Sequence, residues 1–524
     1  MAMSIGPART SGRAFHCTRR RVQGASQGDP KDSPRARAHG GTRSSPRRQS
    51  RRPRKQGSTM TTLTDTIETR PSRHLEPGAV DFDALRAQIG HRLVLPGDPG
   101  WAEVSLAWNL AVDQSPSAVV LAESAADVAA AVRFGRAYGV AVAPQAGGHG
   151  ASARLVGSIV VRSSGLDTIE IDTDARTARV GAGVRWGALQ AALDGTGLTG
   201  MIGSNPDVSV VGYTLQGGYS WFTRPFGMGA DSLRSAEIVD ADGVVRHVDD
   251  ETDAELMWAL RGGGGNLAYV TSVEIDLHPA PAIAGGRMLF PIADARSVLN
   301  AFADATRTAG EAISLWASLV HVPNLDFMPE EVRGQSFVVV ESCTTEGLAG
   351  LEKALSPIRA AGVLVYDTVG ERTASEVGDI CEEPVDPMPA AHSGMGLGEL
   401  TPATIDALLE VAGKPGAILQ VQVRHLGAGR TARRPGLMTE VPSEYIAVAL
   451  SLLPDPALEP MVRDAFAEVA AALRPWTAGA VGSTLVAAWD TLNRSTSFAD
   501  RERLADVMAE QDPTGVFRAA VGLS

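Results

Sequence analysis

The chain has 524 residues, of which 44% are hydrophobic, and its formal net charge is −12. This length accommodates two or three domains with large cores, and no apolar run approaches the roughly 18 residues that cross a bilayer. Three cysteines (Cys17, Cys343 and Cys381) are too few for a disulfide framework and match no zinc-site spacing. We therefore predict a cytoplasmic protein with no metal site and no membrane partner.

The charge is unevenly distributed along the chain. Residues 1–59 contain 15 Lys or Arg against 2 Asp, a net of +13, whereas the remainder contains 33 against 58 acidic residues, a net of −25. The acidic body argues against a nucleic-acid partner. The basic segment has no apolar periodicity and many Pro, Gly and Ser, so residues 1–75 are predicted to be a disordered basic extension.

Several interpretations of that extension remain. A nucleic-acid tail and a transit peptide are both compatible with its composition. A twin-arginine export signal is not, because no apolar region follows Arg19-Arg20-Arg21. We prefer an upstream extension of the reading frame, with the start of the protein at Met60.

Regular patterns begin near residue 80. VDFDALRAQIG predicts a short amphipathic helix, and AVVLAES after Pro116 predicts a strand. Ser124 is placed to cap the next helix, whose end is marked by Gly139. A strand at 140–143, a glycine-rich loop and a second apolar run at 158–161 follow. This strand–helix–strand unit is typical of an α/β region.

Further patterns extend to Pro279. Residues 166–185 alternate around a DTDA turn and predict a β-hairpin, and 187–195 predicts a helix. Residues 235–248 predict a strand–turn–strand with Asp242-Gly243 at the tip. A helix at 253–259 then leads into RGGGGN and a closing strand.

The pattern changes after residue 280. Strands are predicted at 336–342, 418–425 and 446–451, and helices at 348–361, 402–412 and 456–473. This order is typical of one antiparallel sheet with helices on its back. A last helix is predicted within 481–524.

Three glycine-rich turns lie within about 120 residues of one region, at 145–150, 203–230 and 261–266. The first contains His149, and alone it is most simply a turn with a solvated histidine. None fits the GxGxxG or GxxxxGK[ST] fingerprint. Together they favour a bound dinucleotide, since backbone N–H groups must approach its pyrophosphate closely.

The ordered motifs PQAGGHGA, GAGVRWGALQAAL, PDVSVVGYTLQGGYSW and LMWALRGGGGNLAYVTS resemble the FAD-binding domain of the vanillyl-alcohol oxidase superfamily. Within it, the chain is most similar to the berberine-bridge-enzyme-like and 6-hydroxynicotine-oxidase-like oxidoreductases. The resemblance implies an α+β fold: a two-subdomain, PCMH-type FAD-binding domain at 76–279, and a substrate-binding domain at 280–480 made of antiparallel sheet backed by helices. Residues 481–524 would return to the FAD-binding domain.

The resemblance also implies the cofactor site. His149 falls on the histidine that is covalently linked to the flavin 8α-methyl group, and Val208 stands where relatives with a second link carry cysteine. We therefore expect FAD attached through His149 only. The implied cofactor-binding residues are Gln145, Ala146, Gly147, Gly148, His149, Gly150, Val208, Val211, Gly212, Thr214, Leu215, Gly217, Gly218, Gly264, Gly265, Asn266 and Val270.

The catalytic residues are the open part of the prediction. The family's Tyr and Asn element before the last helix is replaced by VGSTLVAAW, and Gln216 replaces a usual glycine. The weak candidates for a base are Tyr213, Tyr219, Arg424 and His425. Glu399 and Tyr445 are more remote candidates, and Arg261 pairs either with a phosphate or with a helix end.

The predicted function is an FAD-dependent oxidase or dehydrogenase. It would transfer hydride from a small alcohol, amine, sugar or secondary metabolite to the flavin, and O2 would reoxidise the flavin. The alternative is a flavin-binding protein with lost or altered catalysis. The expected partners are the small-molecule substrate and O2, and the protein is expected to be a monomer or a homodimer.

Overall fold

A mixed four-stranded sheet begins the described part of the chain, which a computed structural model gives for residues 80–325, 330–427, 430–490 and 497–523. The predicted basic extension lies outside the described residues. The strands of this sheet are β1 (Leu93–Val94), β2 (Ala118–Leu121), β3 (Val142–Pro144) and β4 (Ile159–Arg162). Their order is β1-β2-β4-β3, and β2 and β3 both run parallel to β4. The parallel pairs require a crossover, which a helix between β2 and β3 supplies.

Three helices belong to this first part: α1 (Asp83–Ile89), α2 (Trp101–Val104) and α3 (Ala125–Tyr138). The predicted start and end of α3 are confirmed. Ser124 and Asp127 form a capping box, and Gly139 ends the helix with φ of 70°. The buried residues of α3 face the sheet. The helix leads the chain into β3, which pairs with β4, and the glycine-rich loop follows β3 at the edge of the sheet.

A five-stranded antiparallel sheet follows. Its strands are β5 (Ile169–Asp172), β6 (Thr177–Gly181), β8 (Leu233–Val239), β9 (Val245–Asp249) and β10 (Tyr269–Asp276). Their order is β5-β6-β10-β8-β9, so both predicted hairpins are confirmed. The short strand β7 (Leu198–Thr199) pairs with β11 (His278–Pro279). The helices of this part are α4 (Trp186–Leu193), α5 (Val210–Thr214), α6 (Thr223–Phe226) and α7 (Ala254–Leu260).

An eight-stranded antiparallel sheet forms the next part. Its strands are β12 (Ala284–Pro291), β13 (Ile313–His321), β14 (Ser336–Thr344), β15 (Tyr366–Asp367), β16 (Gly370–Glu371), β17 (Ala390–Leu397), β18 (Gln420–His425) and β19 (Tyr445–Leu452). The order is β15-β12-β14-β13-β18-β19-β17, with β16 also paired to β12. The helices α8 (Ala295–Thr308), α9 (Leu348–Arg359), α10 (Pro402–Ala412) and α11 (Glu459–Leu473) share a core with one face of this sheet. The predicted α+β fold class is confirmed.

The last helix, α12 (Phe498–Gln511), packs against α7 of the five-stranded-sheet part. Arg503 forms an ion pair with Glu255 of α7 at 2.8 Å, and Leu504 belongs to the same core as the first two sheets. Further on, the N–H of Val142 donates to the carbonyl of Val516 at 2.7 Å. In the described part of the chain, no helix is long and apolar enough to cross a membrane.

Trp221 and Trp316 join the large sheet to the core of the first two sheets. Their rings stack at 3.5 Å between centroids and 11° between planes, and both side chains are fully buried. Trp221 belongs to the glycine-rich region and Trp316 to β13, on the face of the large sheet that is turned away from α8–α11. The stack therefore holds the large sheet against the glycine-rich turns.

We predict that Trp316→Ala lowers the free energy of unfolding by about 3–5 kcal/mol, because it removes a fully buried ring and leaves a cavity between the cores. Urea unfolding followed by far-UV circular dichroism measures this loss. Trp476→Ala, at a partly exposed position, is the control and is expected to cost less than about 2 kcal/mol by the same measurement. Equal losses in the two variants would contradict a joining role for the stack.

Candidate functional site

A cavity of about 340 Å3 lies between the glycine-rich turns and the large sheet. The predicted site residues that line it are Gln145, Ala146, Gly147, Gly148, His149, Gly150, Val208, Gly212, Tyr213, Tyr219, Gly265 and Arg424. Those that do not line it are Val211, Thr214, Leu215, Gly217, Gly218, Gly264, Asn266, Val270 and His425. The structure thus brings one stretch of each of the three glycine-rich turns to a single cavity.

The first turn is held from behind by tight packing. An added Cβ at Gly147 would clash with the guanidinium of Arg185, and one at Gly148, where φ is 88°, would lie 2.9 Å from the Cβ of Ala107. The carbonyls of Gly147 and Gly148 accept hydrogen bonds from the N–H groups of Trp108 (2.9 Å) and the following residue. A larger residue at Gly148 is therefore strained, whereas one at Gly147 requires the Arg185 side chain to move.

The amide groups of the same turn are free to bind an anion. None of the five N–H groups from Ala146 to Gly150 donates a hydrogen bond to a described residue. An added Cβ at Gly150 would meet nothing within 4 Å. Successive free N–H groups beside open space form an anion-binding concavity, so the turn fits a pyrophosphate.

His149 is fixed at the end of that turn. Its imidazole stacks on the indole of Trp108 at 4.0 Å between centroids and 16° between planes, and Nε2 lies 3.5 Å from the Asp207 carboxylate. The Nε2 atom is buried and makes no hydrogen bond in the described chain. The backbone carbonyl of Asp207 in turn accepts from the Arg185 guanidinium at 3.0 Å. The ring therefore has one orientation at the cavity wall.

The second turn is organised around Tyr213. Ser209 caps α5 by accepting from the N–H of Gly212, at 3.3 Å, and this cap presents Val208 and Gly212 to the cavity. An added Cβ at Gly218, where φ is 70°, would lie 2.5 Å from the Tyr213 ring. Gly218 thus makes room for that ring instead of lining the cavity, whereas an added Cβ at Gly217 would lie 3.4 Å from the Cβ of Met438.

The opposite face of α5 is part of the core. Val211 and Leu215 are buried in the core of the first two sheets, and Thr214 is completely buried. Val270 lies in β10 within the same core. These four residues support the turn from the core side. Sequence spacing alone does not distinguish such a supporting residue from one that contacts the cofactor.

The third turn fixes the end of the chain. Asn266 donates to the carbonyl of Val521 at 2.8 Å and accepts from the N–H of Ala519 at 3.0 Å. Ala519 and Gly265 both line the cavity. Asn266 therefore contributes to the site by holding the C-terminal segment at its wall.

Of the two roles considered for Arg261, the structure shows the one at a helix end: Arg261 is the C-cap residue of α7, and its N–H donates to the carbonyl of Met257. Its guanidinium is fully buried, makes a bidentate pair with Asp250 at 2.7 and 2.8 Å, and donates to the carbonyls of Leu233 and Pro435. It does not line the cavity. It is a structural residue that ties the third turn to β8 and to the segment before β19.

The two neighbouring candidates on β18 point in opposite directions. Arg424 lines the cavity, where its guanidinium lies 4.1 Å above the Trp316 ring and donates to Gln422 at 2.6 Å. His425 faces the helix side, 3.0 Å from the Glu444 carboxylate and stacked on Tyr445. Burial lowers the pKa of His425. The structure therefore does not place His425 at the cavity.

The remaining candidates from the substrate domain are also distant. Glu399 is exposed beyond the end of β17, and the Tyr445 hydroxyl bonds to Thr306 at 2.8 Å within the helix-side core. Neither side chain lines the cavity.

Tyr213 and Tyr219 lie at the cavity wall as predicted from the resemblance. Burial raises the pKa of Tyr213 well above its usual range and that of Tyr219 to about 12. The Tyr219 hydroxyl also accepts from the N–H of Gly482 at 2.8 Å. Both phenols are therefore protonated at neutral pH, where they are hydrogen-bond donors and not proton acceptors.

Two residues at or beside the cavity were missed by the sequence reasoning. Asp207 lies in a loop beside His149. The only indication of it in the sequence is that it directly precedes Val208, the position where relatives with a second flavin link carry cysteine. His392 lines the cavity from β17. The stretch AAHSGMGL that forms β17 has no β-branched residue and two glycines, so propensity does not indicate a strand there.

Comparisons with known proteins agree with this geometry. A family described as "FAD binding domain" matches residues 116–249. The chain is 30% identical over 306 residues to (R)-6-hydroxynicotine oxidase of Paenarthrobacter nicotinovorans, covering 56% of this chain and 63% of the relative. The chain spans about two fifths to three fifths of the length of the first curated relatives that it matches.

Solved structures share the whole fold. BBE-like 1 of Physcomitrella patens superposes with a TM-score of 0.74 at 18% identity, covering 85% of this chain and 99% of that one. Glucooligosaccharide oxidase of Acremonium strictum superposes with a TM-score of 0.70 at 19% identity, covering 84% and 99%. The chain thus has the fold of the berberine-bridge-enzyme-like flavoproteins, and its residues 116–249 are similar to an FAD-binding domain. The predicted resemblance to the vanillyl-alcohol oxidase superfamily is confirmed.

We predict that Gly148→Ala lowers the flavin content of the purified protein by about tenfold or more. A side chain at φ of 88° costs roughly 1–2 kcal/mol, and a clash with Ala107 adds to it. The ratio of flavin to protein absorbance measures the effect. Gly310→Ala, where an added Cβ meets nothing within 4 Å, is the control and should keep full flavin content. Full flavin content in Gly148→Ala would contradict the predicted role of the turn.

Proposed function

We propose that this protein is an FAD-dependent oxidoreductase that oxidises a small organic molecule in the cavity and is reoxidised by O2. The residues from Ala146 to Gly150, which line the cavity and whose N–H groups donate to no described residue, carry this proposal. The match to an FAD-binding domain and the relatives named as oxidases support it. We further propose a cytoplasmic location and a monomer or homodimer.

The cofactor is proposed to be covalently attached through His149 alone. The glucooligosaccharide oxidase of Acremonium strictum carries an FAD with both a cysteinyl and a histidyl link. Here the histidine is present and Val208, not cysteine, lines the cavity. A neutral imidazole nitrogen is a competent nucleophile, and the stack on Trp108 holds the ring still while the bond forms.

The residues around the cavity have separate tasks. The N–H groups of the first turn would bind the pyrophosphate, and the Val208–Gly212 stretch would lie against the ring system. When bound, FAD supplies a two-electron acceptor for substrate hydride. The large sheet closes the cavity from above with Arg424, Val448 and Leu450, which excludes water from the reacting atoms.

A flavin-binding protein with lost or altered catalysis is the second candidate. One observation favours it. The segment that replaces the family's Tyr and Asn element contributes Thr484 and Leu485 to the cavity wall, and neither side chain is a base. An anaerobic panel of alcohols, amines and sugars distinguishes the two. Bleaching of the flavin band followed by peroxide on admission of air supports the oxidoreductase, whereas a flavin that no panel member reduces supports the second candidate. Protein that neither carries nor takes up FAD contradicts both.

We predict that His149→Ala abolishes the covalent link while part of the non-covalent FAD binding remains, because the pyrophosphate cradle is unchanged. After acid precipitation, yellow colour should stay with the wild-type pellet and pass into the supernatant of the variant. His247→Ala, an exposed histidine on β9, is the control and should keep the coloured pellet. A coloured pellet from His149→Ala would refute the assignment.

We predict that Asp207→Asn attaches FAD about tenfold more slowly than the wild type, since a loss of about 1.4 kcal/mol in orientation and polarisation of the imidazole changes the rate tenfold. The carboxylate lies 3.5 Å from Nε2 and is well placed for both effects. The measurement is in-gel flavin fluorescence after timed incubation of apoprotein with FAD. Asp249→Asn, beside the exposed His247, is the matched control. Equal rates in the three proteins would show that Asp207 has no part in attachment.

A further inference from the structure

His392 faces the cavity because of the strand register. In the large sheet His392 pairs with Leu450 and Leu450 pairs with Gln420, so these three side chains share one face. Two residues further along β18, Gln422 and Arg424 lie on that same face. His392, Leu450 and Arg424 all line the cavity. The histidine therefore lies among the residues that cover the proposed flavin.

The hydrogen bonding of His392 fixes its tautomer. Nε2 lies 3.2 Å from the backbone carbonyl of Thr484, which can only accept. The ring must therefore carry its hydrogen on Nε2, and in the neutral form the lone pair lies on Nδ1. Nδ1 has no hydrogen-bond partner among the described residues. This is the arrangement of a base whose acceptor atom is available.

The surrounding charges favour the neutral ring. Burial lowers the pKa of His392, and positive charge on Arg424 and His149 lowers it further, whereas the Thr484 carbonyl opposes these effects. The other ionisable side chains that line the cavity are Arg185, Glu383, Tyr213 and Tyr219. Since the ordinary histidine pKa is about 6.5, the imidazole is unprotonated at neutral pH and loses its basic function only in more acidic solution.

No other described residue at the cavity combines these properties. The two tyrosines are protonated, Arg424 has no lone pair to offer, and Thr484 and Leu485 have no basic side chain. Glu383 also lines the cavity, but no hydrogen bond from a described residue fixes its carboxylate there, whereas the Thr484 carbonyl fixes the His392 ring. We propose that His392 is the general base of the reaction, through Nδ1, and that the segment lacking the family's Tyr and Asn element serves by holding it. This proposal rests on the proposed function of the same cavity.

The substrate of this step carries an O–H or N–H group on the carbon that is oxidised. The heteroatom proton passes to Nδ1 of His392, the hydrogen on carbon leaves with both bonding electrons as hydride to oxidised FAD, and a carbon–heteroatom double bond forms. O2 then takes the two electrons and the hydride-derived proton, together with the proton released by His392, and becomes hydrogen peroxide.

His392→Gln is the sharpest variant, because the glutamine amide can still donate to the Thr484 carbonyl while no basic nitrogen remains. His247→Gln is the control. The probes are a glucooligosaccharide, benzyl alcohol and benzylamine, which all carry an O–H or N–H group on the carbon that is oxidised, with flavin bleaching followed under anaerobic stopped flow. For any probe that reduces the wild type, we expect His392→Gln to be slower by about 10²- to 10⁴-fold, with covalent flavin content and melting temperature unchanged.

The pH dependence separates a base from a merely structural residue. The wild-type rate should rise with pH to a plateau reached below neutral pH, and His392→Gln should lose that rise. A variant that is as fast as the wild type, or that keeps the same rise, would overturn the proposal.

A second readout needs no substrate. Nitrogen NMR of the holoprotein labelled in histidine, with the His392 signal assigned by its loss in His392→Gln, should show a neutral ring with hydrogen on Nε2 at pH 7. A protonated ring, or hydrogen on Nδ1, would overturn the proposal even if no probe reduces the flavin. A flavin that no probe reduces counts against the proposed function, whereas the NMR result decides the role of His392.

Discussion

The close packing behind the first glycine-rich turn is the constraint on which the site depends. The backbone of Gly147 lies against the Arg185 guanidinium and that of Gly148 against Ala107, and at Gly148, where φ is 88°, a larger residue is strained. The carbonyls of both glycines are used by N–H groups of the preceding segment. With their carbonyls bound on one side, the peptide units leave their N–H groups without protein acceptors, and this is what an anionic cofactor requires. His149 inherits its position from the same packing.

The large sheet decides which of its side chains take part, because neighbouring residues on a strand face opposite sides. Arg424 lies on Trp316 beside the cavity, while His425 lies among the helices with Glu444. The Trp221–Trp316 stack sets the distance between this sheet and the turns. Under the proposed function, specificity for a substrate depends on residues of the large sheet, whereas cofactor binding depends on the turns, and both sets of residues line the cavity.

Much of the fold could be predicted from the sequence where local rules dominate. The capping box of Ser124 and Asp127 and the positive φ of Gly139 define α3 by chemistry that lies within the helix itself. The glycine-rich turns indicated a bound dinucleotide, and the family resemblance of the ordered motifs implied that it is FAD. Strand β17 could not be predicted, because its stability comes from pairing with β19 and not from its own composition. Val211 and Thr214 were read as contacts because spacing cannot tell which face of the short helix α5 is buried. The domain boundaries stay a prediction.

The two histidines at the cavity are chemically identical, but their surroundings suit them to different roles. His149 lies 3.5 Å from the Asp207 carboxylate and flat on Trp108, an environment that holds an imidazole rigidly for attachment to a cofactor. His392 is buried near Arg424 and bound by a carbonyl, an environment that keeps an imidazole neutral. A base on β17 cannot be found by a search for the family's Tyr and Asn element, because β17 lies far from that element in the sequence. If the carbonyl of Thr484 holds the base, the side chains of the segment around it are free to vary, and the loss of the family's Tyr and Asn need not mean the loss of catalysis.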